Sequence, residues 1–170
     1  MVEDSIDVLL GTSIELIRSF KKQIKEIDQS ITRIMKGLTQ TLESIPGIGP
    51  VFAAGIIAEL GQIDRFPDET KIAKYAGLYW RKHQSGRFTA EDTSLTRQGN
   101  HYLRYYLVEA ANSVRRQIPE YQVFYQKKYQ EVPKHQHKRA LVLTARKLVR
   151  LVDALLRKNQ LFTPERGVNL

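Results

Sequence analysis

An apolar residue recurs at every seventh position, Leu10, Ile17, Ile24, Ile31, Leu38 and Ile45, and this repeat limits what the first quarter of the chain can become. A second series, Phe20, Ile27 and Ile34, fills the complementary core position, with Ser13 and Thr41 interrupting it at either end. An average apolar spacing of about 3.5 residues keeps one seam of a long helix turned toward a partner helix. Polar runs such as KKQIKEIDQS cover the remaining surface. The alternative is a long amphipathic helix packed on its own domain. β-Branched Ile at both core positions favours association between helices, so the spacing predicts a coiled-coil dimerisation helix over residues 1–43 and a second domain over 44–170.

Past Leu42 the period breaks, in the run LESIPGIGPVFAAGIIAEL. Ser44 can cap a new helical segment, but Pro46-Gly47-Ile48-Gly49-Pro50 follows at once and forces a tight turn. Glycine accepts positive φ and leaves its N–H uncovered, and Pro50 suits the first turn of a following helix. Helix, G-h-G turn, helix is the helix-hairpin-helix pattern, in which exposed amides at a helix N-terminus receive a nucleic-acid phosphate. Gly47 and Gly49 are therefore candidate phosphate-binding positions. A close helix crossing, for which Ala53, Ala54 and Gly55 are equally suited, is the competing explanation.

A short helix capped by Asp68 or Thr70 is expected next, with Ile72, Ala73, Tyr75 and Ala76 on its apolar side and Gly77 at its end. The polar, basic stretch RKHQSGRFTAEDTSLTRQGN then interrupts an otherwise helical pattern. A loop of this length inside a compact domain is commonly functional. Within it, at about residues 81–99, Ser85-Gly86 is flanked by Arg81, Lys82, His83 and Arg87. On spacing alone Ser-Gly is an ordinary turn dipeptide. Basic neighbours would equally stabilise an anionic phosphoryl transition state around a serine nucleophile, with His83 either a general base or simply solvated. Glu91 and Asp92 form the loop's one carboxylate pair, too few donors for a metal.

The rest of the sequence is strongly helical. A cap at Asn100 opens one helix, which carries Leu103, Tyr106, Leu107 and Ala110 on one face. A proline-interrupted aromatic stretch, IPEYQVFYQKKYQEVP, leads to a last helix with the stripe Leu141, Ala145, Leu148, Val152 and Leu155. Arg97, Arg104, Arg115 and Arg116 border the former helix, and Lys138, Arg139, Arg146, Lys147, Arg150 and Arg157 ride beside the stripe of the latter. Basic residues on successive turns can track a phosphate backbone, or form a solvated face. His135 and His137, without Cys or clustered carboxylates, are a weak zinc signal, and no metal site is expected in the chain.

The 27 Lys and Arg against 18 Asp and Glu give a net charge of +9, which attracts polyanions. The absence of Cys excludes a disulfide framework, a thiol nucleophile and a thiolate metal site. The acidic start MVEDSIDVLLG does not read as a signal peptide, and no apolar run approaches the roughly 20 residues of a membrane span. A cytoplasmic protein is expected.

Taken in order, ESIPGIGPVFAAGIIAELGQIDRF, KIAKYAGL, HQSGR, LTRQGNHYLRYYLVEAA and HKRALVLTARKLVRLVDALLR resemble the C-terminal transposase domain of the IS110 (IS116/IS110/IS902-type) insertion-sequence family, from Leu42 to Leu156. The resemblance implies a mainly α fold: a long N-terminal coiled-coil helix, then a compact helical domain with a helix-hairpin-helix-like PGIG turn and a long basic loop. It implies a prokaryotic, nucleoid-associated DNA recombinase guided by a bridge RNA and assembled as a dimer or tetramer through the N-terminal helix. Ser85 corresponds to the family's catalytic serine, whose hydroxyl attacks a DNA phosphodiester. Arg81, Lys82 and Arg87 would position the phosphate, and Gly47, Gly49, Arg97, Arg104, Lys138, Arg139 and Arg146 would make further DNA or RNA contacts. The family's Mg²⁺ belongs to a preceding RuvC-like domain with a DEDD acidic set, which these 170 residues do not contain, so no cofactor is expected here and the isolated chain is expected to be inactive. The alternative is a non-catalytic nucleic-acid-binding and dimerisation module.

Overall fold

The chain is mainly α-helical. A computed structural model describes residues 2–80, 84–85, 88–89, 95–96 and 98–164, with the backbone alone for residues 2–4 and the two short strands. In order the elements are α1 (Val2–Lys36), a 3₁₀ turn (Leu42–Ser44), α2 (Pro50–Leu60), a 3₁₀ turn (Ile63–Arg65), α3 (Glu69–Tyr75), β1 (Gln84–Ser85), β2 (Phe88–Thr89), α4 (His101–Gln117), α5 (Pro119–Gln130) and α6 (Gln136–Lys158). Two compact units result, residues 1–39 and residues 40–170.

The first unit is α1, a helix about 50 Å long at 1.5 Å per residue. It carries the expected seam, but it stops at Lys36 rather than near residue 43. The reason is local. The N–H groups of Gly37 and Leu38 turn back to the carbonyls of Ile34 and Met35, tightening the last turn. Gln40 then competes for the chain beyond: its Oε1 accepts from the Glu43 N–H at 3.2 Å, and its Nε2 donates to Glu43 Oε1 at 2.7 Å. Ile45, the last residue of the heptad series, consequently belongs to the second unit, where it is buried.

The second unit is built on α6, which packs against α3, α4 and α5, while α2 packs across α4. The stripe Leu141, Ala145, Leu148, Val152 and Leu155 is buried, as are Leu103, Leu107, Ala110 and Val114 of α4. Two glycines let α2 and its approach come close to α4. A Cβ on Gly47, at φ 97°, would lie 2.9 Å from the backbone of Ser113 and Val114, and one on Gly55 would overlap the Tyr106 ring. Ser44 does not cap α2. Its Oγ donates to the Thr41 carbonyl and accepts from the Phe162 N–H at 2.8 Å, while Gly49 stands at the N-cap without a side-chain bond.

The stretch expected to be interrupted by proline is a helix in its own right. Pro119 occupies the first turn of α5, where its missing N–H has no partner to lose. Tyr121 and Tyr125 point inward from α5, and Tyr125 gathers Ala140, Leu141, Val108 and Tyr129 around it. The long loop also holds regular structure. β1 and β2 pair antiparallel, Gln84 with Thr89 and Ser85 with Phe88, and an isolated bridge joins Trp80 to Leu95.

Candidate functional site

The loop carrying Ser85 is an outgrowth between α3 and α4, and its two arms are fixed where they leave those helices. α3 starts with Asp68, whose carboxylate accepts from the Lys71 N–H at 3.0 Å. It ends in a Schellman arrangement: Gly77, at φ 70°, donates to Lys74, and Leu78 donates to Ala73 at 2.7 Å. The returning arm is hydrogen-bonded to the outgoing one, Thr96 N–H to the Tyr79 carbonyl at 2.9 Å and Asn100 N–H to the Tyr75 carbonyl at 2.7 Å. Gly99, at φ 130°, completes the closure, because a Cβ there would overlap the Tyr75 carbonyl and the Gly77 backbone.

Asn100 does more than cap α4. Its Oδ1 accepts from the N–H groups of Tyr102 and Leu103, each at 3.0 Å, and its Nδ2 donates to Glu59 at 2.7 Å and to the Tyr75 hydroxyl at 3.2 Å. One side chain thereby ties the ends of α2 and α3 to the start of α4. Sequence spacing identifies the cap, but Glu59 lies 41 residues away, and only the fold reveals that partner.

Two of the expected phosphate-binding arginines also meet this root. Arg146 Nη1 donates to the Leu78 carbonyl at 3.1 Å, and Arg104 Nη1 lies 3.5 Å from the Ala76 carbonyl. Arg139 bonds the Lys128 carbonyl and pairs with Glu131 at 3.0 Å. That pairing, after the Lys128 hydrogen bond, holds the Glu131 carboxyl below its ordinary pKa. Lys147 pairs with Glu120, and Arg157 with Asp153 at 2.6 Å. Lys138 and Arg150 are exposed and make no ion pair among the described residues. Much of the basic border of α6 therefore acts as struts between helices.

The PGIG turn divides between the two explanations open for it. Gly47 serves the close crossing with α4. Gly49 is exposed with open space around it, and the N–H groups of Gly49, Val51 and Phe52 have no hydrogen-bond partner among the described residues. Those amides sit at the positive end of an 11-residue helix, an arrangement suited to an anion.

Ser85 lies in β1, opposite Phe88. Arg81, Lys82, His83, Arg87, Glu91, Asp92 and Arg97 fall outside the described residues. His137 Nδ1 lies 2.8 Å from the Tyr125 hydroxyl, and among the described residues no group of three His, Cys, Asp or Glu could hold a metal. No helix of the described residues is long and apolar enough to cross a membrane.

Residues 39–126, about half of the chain, match the family described as transposase IS116/IS110/IS902. The 44.8 kDa protein of insertion element IS116 from Streptomyces clavuligerus is 28% identical over 145 residues, covering 84% of this chain and 36% of its own length. The pilin gene-inverting protein of Moraxella bovis is 28% identical over 153 residues, 86% of this chain and 47% of its own length. A transposase for insertion sequence IS1111A from Coxiella burnetii is 30% identical over 79 residues, 46% of this chain and 21% of its own length. The chain thus spans less than half the length of these curated relatives.

Proposed function

The chain belongs to the transposase IS116/IS110/IS902 family, and on that footing we propose that it is the C-terminal part of a DNA recombinase in which Ser85 is the nucleophile. The observation that carries this reading is that the family match spans the Ser85 loop and both helices that root it. The Ser85 hydroxyl attacks a DNA phosphorus, an Oγ–P ester forms, and one phosphorus–oxygen bond to deoxyribose breaks. The hydroxyl proton leaves and the departing sugar oxygen takes one up. The DNA end is then held on the protein until a second sugar hydroxyl displaces the serine.

A serine hydroxyl is a weak nucleophile without a base or metal to ease its deprotonation. The described residues offer no donor set that fits Mg²⁺, so no step here is routed through a metal. The reading assigns that chemistry to a RuvC-like domain outside these 170 residues. DNA is the substrate and an element-encoded guide RNA the second nucleic acid. The net charge of +9 and the amides of Gly49, Val51 and Phe52, unbonded among the described residues, support a nucleic-acid partner, and the guide RNA is what the family resemblance implies. Arg81, Lys82 and Arg87 serve the phosphate nearest Ser85, and Arg97 makes a further phosphate or guide contact. Arg104 and Arg146 shape the loop root and act on phosphate indirectly.

Oligomerisation through α1 belongs to the same proposal, since Leu10, Ile17, Phe20, Ile24, Ile27 and Ile34 are all exposed. The test is strand exchange by the chain joined to a RuvC-like domain of its family, with matched guide RNA and DNA. Ser85→Ala should lose at least about a thousandfold in recombinant product, with DNA binding unchanged. Equal product from wild type and variant would reduce the chain to a nucleic-acid-binding and dimerisation module.

A further inference from the structure

Beside the root of the Ser85 loop lies an open groove of about 530 Å³, lined by Arg65, Phe66, Lys71, Lys74, Tyr75 and Tyr79, and by Gln98 and Gly99 of the returning arm. Its lining combines two chemistries. The Arg65 guanidinium lies over the rings of Phe66 and Tyr75, 5.1 and 5.4 Å from their centroids, so one wall is a stack of cation and aromatic planes. Tyr79 is half-buried, and its ring has no aromatic or cationic partner among the described residues.

Lys71 and Lys74, one helical turn apart on α3, are exposed and make no ion pair among the described residues. Two of the nearby acids, Asp64 and Asp68, interact with other groups. Asp68 caps α3 through the Lys71 N–H. After the hydrogen bond that Arg157 donates to Asp153, the charges of Asp64 and Asp68 help to hold its guanidinium above its ordinary pKa. Arg157 also donates to the Phe66 carbonyl at 2.9 Å, which fixes the aromatic wall.

Free ring and guanidinium faces bind the flat face of a base, and unpaired ammonium groups bind the phosphates flanking it. A base stacked within a duplex has its faces covered by its neighbours, so only an unstacked one can use such a recess. An acidic peptide would meet the lysines and leave the ring faces unused. We propose that this groove takes one unpaired nucleotide of a DNA strand, the base against Tyr79 and Arg65 and the adjoining phosphates on Lys71 and Lys74. This rests on the recombinase reading above. It adds that the strand presented to the Ser85 loop is held single-stranded at the loop's root.

The experiment measures binding of the 170-residue chain, by fluorescence anisotropy across a salt series, to an oligothymidylate of roughly ten nucleotides. Three companions are an oligomer with abasic sugars at its centre, an oligouridylate, and a duplex. Wild type should prefer the intact oligothymidylate over the abasic one by at least about fivefold. Tyr79→Leu should erase that preference and Tyr79→Phe keep it. Lys71→Gln with Lys74→Gln should weaken binding and flatten the slope of log Kd against log salt by about 0.7 for each phosphate that the lysines no longer neutralise. Both lysines are exposed, so that variant decides the matter even if Tyr79→Leu fails to fold. Unchanged preference in Tyr79→Leu, or an unchanged slope in the lysine variant, would overturn the groove assignment while wild-type binding leaves the recombinase reading standing. A Tyr79-dependent preference shown by oligouridylate and not by oligothymidylate would overturn the choice of DNA. Failure of wild type to bind any of the nucleic acids at low salt would overturn both readings.

Discussion

Gly47 and Gly49 occupy equivalent-looking places in PGIGP, yet they answer to different constraints. Gly47 needs both its positive φ and the bare face it turns to α4, whereas Gly49, at φ −91°, is extended and unobstructed. Gly47→Ala should therefore destabilise the second unit by about 2–4 kcal/mol, from backbone strain together with overlap. Gly49→Ala should change stability by about 0.5 kcal/mol or less. Thermal melts of the two variants check this, and equal melting temperatures would contradict it. The sequence shows that glycine is needed in the turn, but not which glycine meets a helix, because Ser113 lies far along the chain from Gly47. Tyr121 poses the opposite problem, a polar atom without a partner: its hydroxyl is buried and unbonded among the described residues. Burial first, then the Glu120 charge, raises its pKa well above the ordinary tyrosine value. The folded protein therefore keeps this proton at pH values where the unfolded chain, with tyrosine near about 10, releases it. The stability linked to it is intact below about pH 10 and is lost as pH rises beyond. Tyr121→Phe should be neutral or stabilising by up to about 1 kcal/mol at pH 7 and should flatten the alkaline decline. A steeper decline in denaturant titrations at high pH would contradict that account.

Among the elements, those with an apolar period are the most legible. The stripe of α6 and the inward face of α4 are readable because each buried residue returns every three or four positions. α5 is not, since its tyrosines resemble an aromatic loop and Pro119 looks like a break until it is seen at a helix start. The basic border of α6 is legible as charge but not as function. Whether Arg146 meets a phosphate or the Leu78 carbonyl depends on a partner 68 residues away. For α1 the seam is readable and its end is not, because Gln40 and Glu43 set the boundary through short-range side-chain bonds that carry no periodicity. The exposed seam makes its own prediction. Ile17→Asp with Ile24→Asp, both positions about half exposed in the single chain, should abolish self-association while leaving the second unit's melting unchanged. Sedimentation equilibrium reads this directly, and an unaltered mass would remove α1 from assembly.

For the whole molecule, the excess of nine positive charges and the loop-bearing helical unit converge on one chemistry. Many of the cations brace the fold, as Arg139, Arg146, Lys147 and Arg157 do. Others, Lys71, Lys74, Lys138 and Arg150 among them, are exposed and make no ion pair among the described residues, and these are left to meet a polyanion. Folding should therefore be insensitive to the neutralisation of Lys71 and Lys74, whereas DNA affinity should respond. The central claim, however, is that Ser85 itself bonds to phosphorus, and it is most directly tested by the covalent intermediate. The chain joined to a RuvC-like domain of its family, quenched by denaturation during strand exchange, should yield a nucleotide-bearing peptide. After nuclease and protease digestion, fragmentation mass spectrometry should assign the added phosphate to Ser85. The adduct should be absent from Ser85→Ala. A phosphate mapped to another residue, or an adduct that persists in Ser85→Ala, would contradict the account.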